Sequence, residues 1–264
     1  MVGYNLGAMP NWDAEQYLKF GDERTQPVRD LIGRLGLANP ARIMDLGCGP
    51  GNSTAELKRR WPQSRIVGLD SSAAMIGQAR RGDGTVEWLV GDAACWRADE
   101  PFDLVFSNAM LHWVGDHERV CPHLMEQVAP GGALAVQVPA HHGSPLHREI
   151  LEVSRDPAWS ERMAGARRAM THHPPEFYYD LLAPKAARLD IWETTYYHVL
   201  AGPEAVLDWF RGSGLRPFLE ALADGKERKV FETRLAERYD KTYPRRADGR
   251  ILFPFRRLFF VAYS

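Results

Sequence analysis

The run Asp45-Leu46-Gly47-Cys48-Gly49-Pro50-Gly51-Asn52 constrains this chain more than any other segment. It follows a short apolar stretch, Arg42-Ile43-Met44-Asp45-Leu46, and precedes a helical spacing from Asn52 or Ser53 to about Trp61, closed by Pro62. A strand, a glycine corner and a helix in that order bend sharply because the corner carries few side chains. The helix N-terminus then presents free N–H groups to whatever approaches. The pattern is not a dinucleotide loop, because G-x-G-x-x-G needs glycine where Asn52 stands, and no G-K-[ST] follows as in a P-loop.

The same alternation continues down the chain. Strands are expected at 65–70, 86–90, 102–107 and 133–138, with helices at 72–81 and 117–128, which predicts a parallel sheet covered by helices on both faces. Before it, the spacing of Tyr17, Phe20, Val28, Leu31, Ile32 and Leu35 predicts helix over 12–37, with Pro27 opening a second helix or kinking the first. After Pro139 the rhythm breaks. The 141–175 segment reads as helical and irregular, 188–197 as a strand, 203–213, 215–223 and 227–243 as helices, and 255–263 as a last strand. The expectation is one α/β domain over 1–264, with an N-terminal helical lid (1–40), a core (41–139) and helical cap insertions (140–187 and 203–250).

Composition narrows the function classes. Over 264 residues, Lys+Arg 33 against Asp+Glu 34 leaves a net charge of −1, which argues against a nucleic-acid partner. No apolar run approaches the roughly 20 residues of a membrane span, and the N-terminus does not read as a secretion signal. Three cysteines without a C-x-x-C predict a reducing, cytoplasmic setting and no metal site. Arginine far outnumbers lysine, so several guanidinium forks are available for an anionic ligand. A monomer or weak homodimer is expected.

Three acids mark the strand ends. Asp45 precedes the glycine corner, where a carboxylate would repel a pyrophosphate but accept from an ammonium group or a bound water. Asp70 ends the second strand, where an acid accepts ribose hydroxyls. Asp92, in Gly91-Asp92-Ala93, ends the third, where it can accept from an adenine amine. A ligand with an amino-acid end, a ribose and an adenine answers all three, and S-adenosylmethionine is such a ligand.

With these residues in register, the chain resembles the class I methyltransferases that use S-adenosylmethionine. That resemblance implies a Rossmann-like, doubly wound sheet of seven strands whose last strand is antiparallel. Segments outside the cofactor loops extend it: Trp12, Tyr17-Leu18-Lys19-Phe20, Glu23-Arg24, Asn108-Ala109 with Leu111-His112-Trp113, the strand Ile191 to His198, Gly214-Leu215-Arg216-Pro217 and Arg257-Leu258-Phe259. Together they are similar to the trans-aconitate 2-methyltransferase family, from which His112 departs where glutamine is common. The resemblance implies methyl-ester formation on a small polycarboxylic acid.

The predicted cofactor contacts are Arg24, Asp45, Gly47, Gly49, Asn52, Asp70, Ser71, Met75, Asp92, Ala93 and Asn108. Arg24 is equally readable as a helix-surface charge. Trp12, Tyr17, Trp113, Tyr197, Arg216 and Arg256 are candidates for the substrate, with Arg256 and Arg257 interchangeable as a carboxylate clamp. Trp12, Tyr17 and Phe20 also read as ordinary core. His112, Tyr196 and His198 are candidate catalytic groups. Strand alternation puts Tyr196 and His198 on one face and Tyr197 on the other. A carboxylate acceptor is ionised at neutral pH and needs no base, whereas a secondary-metabolite hydroxyl would call on His112 or His198. A carrier-bound malonyl acceptor, a non-catalytic S-adenosylmethionine-binding protein and, more distantly, a nicotinamide-dependent oxidoreductase are the alternatives.

Overall fold

Seven strands form one sheet in the order β3-β2-β1-β4-β5-β7-β6. The computed structural model describes residues 21–82, 84–140 and 142–264, with the backbone alone at 21–24. The predicted contacts Trp12 and Tyr17, and the side chain of Arg24, lie outside the described residues. In chain order the elements are α1 (Gly21–Arg34), β1 (Arg42–Leu46), α2 (Asn52–Arg60), β2 (Arg65–Asp70), α3 (Ala73–Ala79), β3 (Glu87–Val90) and β4 (Phe102–Asn108). Then come α4 (His117–Met125), β5 (Val128–Pro139), α5 (Pro145–Ser154), α6 (Pro175–Leu182) and β6 (Arg188–Leu200). The chain closes with α7 (Pro203–Arg211), α8 (Arg216–Glu220), α9 (Gly225–Thr242) and β7 (Ile251–Tyr263). Pro27 lies inside α1 and does not start a new helix.

β1 to β5 pair in parallel, while β7 runs antiparallel to both β5 and β6. Their sequences read as continuous apolar runs because both faces are covered. Leu46, Val105, Val136 and Phe260 pack toward α4 and α6, and Ile43, Phe106, Ala135 and Phe259 toward α1 and α2. Chain order reverses between β1 and β4, which both leave the sheet in the same direction. The crevice outside their carboxyl ends is where doubly wound sheets bind ligands.

The two cap insertions share one core. Leu146 and Ile150 of α5, Trp209 and Phe210 of α7, and Phe231 and Leu235 of α9 pack with Phe253 and Phe255, the entry half of β7. β7 begins four residues earlier than its sequence suggested, because Ile251–Arg256 run past the β5 register, continue the pairing with β6 and carry the cap there. Among the described residues, no helix is long and apolar enough to cross a membrane.

Candidate active site

The glycine corner is built by exclusion. Gly47 has φ +68°, and a Cβ there would sit 2.1 Å from Met110 Cγ, so only glycine lets the β4 exit pack against the end of β1. Its N–H donates to Leu69 O at 2.7 Å, as does that of Cys48 at 3.1 Å, which ties the corner to β2. Gly49 is also left-handed (φ +56°), but a Cβ on it would meet nothing within 4 Å, because it faces the crevice.

Asp70 braces two loops at once. Oδ2 accepts from Gly49 N at 2.9 Å and Oδ1 from Ser72 N at 2.8 Å. Burial raises its pKa, and the two backbone N–H groups oppose that by favouring the anion. Ser72 then caps α3, its Oγ accepting from Met75 N at 3.3 Å. Asp92 Oδ1 accepts from Ala94 N at 2.9 Å and fixes the turn after β3.

These segments enclose a cleft of about 760 Å³, part of it open solvent. Gly47, Gly49 and Pro50 form one wall, Asp70, Ser71 and Met75 a second, Gly91, Asp92 and Ala93 a third. Asn108 to Met110, with Trp113 and Val114, close the side toward β4. Of the predicted contacts, Gly47, Gly49, Asp70, Ser71, Met75, Asp92, Ala93, Asn108 and Trp113 come together here. Leu69, Ala109, Met110 and Val114 were not anticipated. Ala109 carries φ 53°, a left-handed conformation that costs a residue with a Cβ about 1–2 kcal/mol. Such strain collects at functional sites, and it turns the chain so that Met110 covers Gly47.

Other expectations require correction. Asp45 does not line the cleft. It is fully buried, and Oδ2 accepts from the hydroxyls of Ser53 (2.7 Å) and Thr54 (2.6 Å). Burial lifts its pKa to about 6, against those two hydrogen bonds and with the Asp70 charge adding to the rise. Asn52, the first residue of α2, faces a separate surface groove with Lys58 and Trp88, because left-handed Gly51 turns the helix away.

None of the three candidate catalytic groups lines the cleft. His112 is 4% exposed, its ring 4.9 Å from that of Trp113, and burial, then the charges of His172, Arg257 and His117, hold it well below the ordinary histidine range. Tyr196 donates to Asp30 of α1, and burial followed by that carboxylate raises its pKa. His198 packs against Trp209 in the cap core at 4.3 Å, and burial, then the Arg257 charge, lowers its pKa to about 4.

Tyr197 is 61% exposed on the outer strand β6, the opposite face from Tyr196 and His198, and cannot reach the cleft. Arg216 Nε pairs with Glu220 Oε1 at 2.7 Å within α8. Arg256 is half-exposed, its Nε donating to Ala140 O and its Nη1 to Glu193 Oε2. Strand alternation puts its neighbour Arg257 on the inner face, 5% exposed, with Nη1 donating to Gln137 Oε1 at 3.2 Å.

Residues 43–132 match the model of a methyltransferase domain. The chain is 48% identical to a trans-aconitate 2-methyltransferase of Azoarcus sp. (strain BH72), covering 96% of this chain and 99% of the relative. It is 46% identical to one from Methylobacterium nodulans, covering 96% and 98%. Among solved structures, the YcgJ protein from Bacillus subtilis superposes with a TM-score of 0.60 at 12% identity, covering 90% of this chain and 98% of the other. A Haemonchus contortus phosphoethanolamine N-methyltransferase 2 in complex with S-adenosyl-L-methionine gives 0.56 at 16% identity, covering 90% and 52%. At such identities the superpositions speak for the fold alone.

Proposed function

The chain belongs to the trans-aconitate 2-methyltransferase family, and from that premise we propose that it esterifies a carboxylate of trans-aconitate or a closely similar polycarboxylate with the methyl group of S-adenosylmethionine. The observation that carries this reading is the cleft at the strand-order reversal. Its glycine corner and two strand-end acids suit an amino-acid nucleoside, and no histidine among the described residues lines its wall.

The residues present fit the cofactor. Gly49 leaves open space where any other residue would place a Cβ. Asp70 holds its loops through backbone N–H groups, and each carboxylate oxygen retains accepting capacity for a ribose hydroxyl. Asp92 stands one strand further out, at the place for an adenine amine. When bound, the cofactor supplies a methyl carbon already activated by its sulfonium.

The protein's remaining work is alignment and exclusion of water. Met110, Trp113 and Val114 give the cleft an apolar side next to the polar amide of Asn108. A carboxylate acceptor arrives ionised, so no side chain has to remove a proton. Strong pairing of the reacting oxygen would lower its nucleophilicity, so the cations that select the acceptor belong on its other carboxylates.

Incubating the protein with S-adenosylmethionine and trans-aconitate, and measuring S-adenosylhomocysteine and methyl ester by mass spectrometry, tests the proposal. One ester per homocysteine product is expected, with a rate nearly flat from pH 6 to 8. Tight binding of the homocysteine product without ester from any polycarboxylate would overturn it, and so would a preference for hydroxyl acceptors.

A further inference from the structure

Past the cleft wall, the carboxyl ends of β4 and β5 run into a buried polar row that apolar packing does not require. Asn108, on the wall, stands opposite Gln137 in the β4–β5 register. Gln137 in turn stands opposite Phe259 on β7. Paired residues share a face and every second residue returns to it, so Asn108, Gln137 and Arg257 project from the same side of the sheet.

Arg257 is the cation of this row. Its guanidinium carbon lies 4.9 Å from the Phe255 ring centroid and 6.0 Å from that of Tyr196, so aromatic walls hold it on two sides. Gln137 Oε1 receives its Nη1, which leaves the amide NH2 of Gln137 turned elsewhere.

Four polar atoms around it are buried and make no hydrogen bond: Asn108 Oδ1, Gln137 Nε2, His112 Nδ1 and His198 Nε2. The Gln137 atom is a donor, and each imidazole nitrogen becomes one by choice of tautomer or by protonation. The Arg257 charge reaches both histidines and disfavours a second cation there. The Arg257 guanidinium, with the Gln137 amide beside it and two convertible imidazoles within reach of its charge, matches a ligand bearing several acceptor oxygens and negative charge. A neutral apolar ligand would leave the Gln137 amide N–H and both imidazole nitrogens without a partner, and a cation would be repelled.

We propose that Arg257, oriented by Gln137, grips a non-reacting carboxylate of the methyl acceptor and is the specificity-determining residue for polycarboxylates, an assignment that rests on the acceptor reading above. The acceptor lies along the Asn108–Gln137–Arg257 row, its reacting carboxylate toward Asn108 and the cleft, a second on the guanidinium fork. Arg257 does not touch the reacting oxygen, so its loss affects binding of the acceptor more than the transfer step.

The test compares wild type, Arg257→Gln, Arg257→Lys and the outer-face control Arg256→Gln. Each is assayed for KM and kcat on trans-aconitate and for the Kd of S-adenosylhomocysteine by calorimetry. Arg257→Gln is expected to raise KM about 10–100-fold while kcat changes by less than about threefold and the Kd by less than twofold. Arg257→Lys retains the buried charge, and with it the fold, but loses the two-point fork. It should raise KM by about tenfold, so the test stands even where Arg257→Gln fails to fold. Arg256→Gln should match wild type. If wild type turns over trans-aconitate and KM for both Arg257 variants stays within twofold of it, the assignment is overturned alone. If wild type binds S-adenosylhomocysteine yet esterifies no polycarboxylate, the acceptor reading falls and the assignment with it.

Discussion

Removing the Asp70 carboxylate should weaken cofactor binding for two separable reasons. Both oxygens accept backbone N–H groups, Oδ2 from Gly49 and Oδ1 from Ser72, so the side chain holds the glycine corner and the cap of α3 in one geometry. A hydrogen bond to a charged acceptor contributes about 1.5–3 kcal/mol. Losing the ribose contact alone therefore corresponds to about a 10–150-fold rise in Kd, with loosening of the corner adding to it. The informative variant is Asp70→Asn. Its amide places an NH2 against one of the two N–H donors whichever way it is turned, so it cannot replace the carboxylate even though it fills the same volume. Asp70→Asn and Asp70→Ala should bind S-adenosylhomocysteine with similarly weakened affinity in titration calorimetry. Binding by Asp70→Asn within threefold of wild type would refute the bracing argument. Because burial raises the Asp70 pKa, this grip should also fail on acidification earlier than for an exposed aspartate.

Gly47→Ala should destabilise the fold by about 2–5 kcal/mol, from a left-handed backbone and a forced shift of Met110. Gly49→Ala, with open space around it, should lose only about 1–2 kcal/mol; equal melting temperatures for the two would contradict this. Asp45 has a folded-state pKa raised to about 6 from 3.8, so its contribution is favourable below pH 3.8 and is lost as pH rises through 6. Asp45→Asn should accordingly be at least as stable as wild type to urea at pH 8, and a clear loss there would refute the buried-charge account. His147 and His172, beside His142, have pKa values lowered from 6.5 to about 4, chiefly by burial and then by neighbouring histidines. The unfolded chain then binds more protons between pH 6.5 and 4, and each histidine removes up to about 1.4 kcal/mol of stability per pH unit on descent. Urea midpoints that stay flat from pH 7 to 5 would exclude this.

The sheet was legible because its signals are local. Apolar runs of four to six residues, a glycine corner and acids at strand ends each depend on a few neighbours in sequence. Gly47, Asp70 and Asp92 were found from that pattern and do meet at one cleft. The misplacements have a common physical origin in side-chain direction and long-range pairing. Arg256 and Arg257 are adjacent and chemically alike, and only the register of β7 against β5 and β6 decides which one is buried. Asp45 reads as a ligand contact in the sequence, but Ser53 and Thr54, eight and nine residues on, hold its Oδ2 inside the core. Tyr196 was claimed by Asp30, 166 residues away. Ala109 and Met110 carry no compositional mark, because their place on the wall follows from one left-handed backbone turn. Gln137 was hidden inside an apolar strand, where its amide reads as an exception until Arg257 is found against it.

A crystal structure of the protein with S-adenosylhomocysteine and trans-aconitate bound together tests the central claim most directly. The account predicts the ribose on Asp70, the adenine beside Asp92, and the acceptor bridging from Asn108 to the Arg257 guanidinium with one carboxylate oxygen about 3 Å from the position of the missing methyl. A homocysteine product bound away from the glycine corner, or an acceptor held by Arg216 or Arg256 with Arg257 untouched, would contradict it.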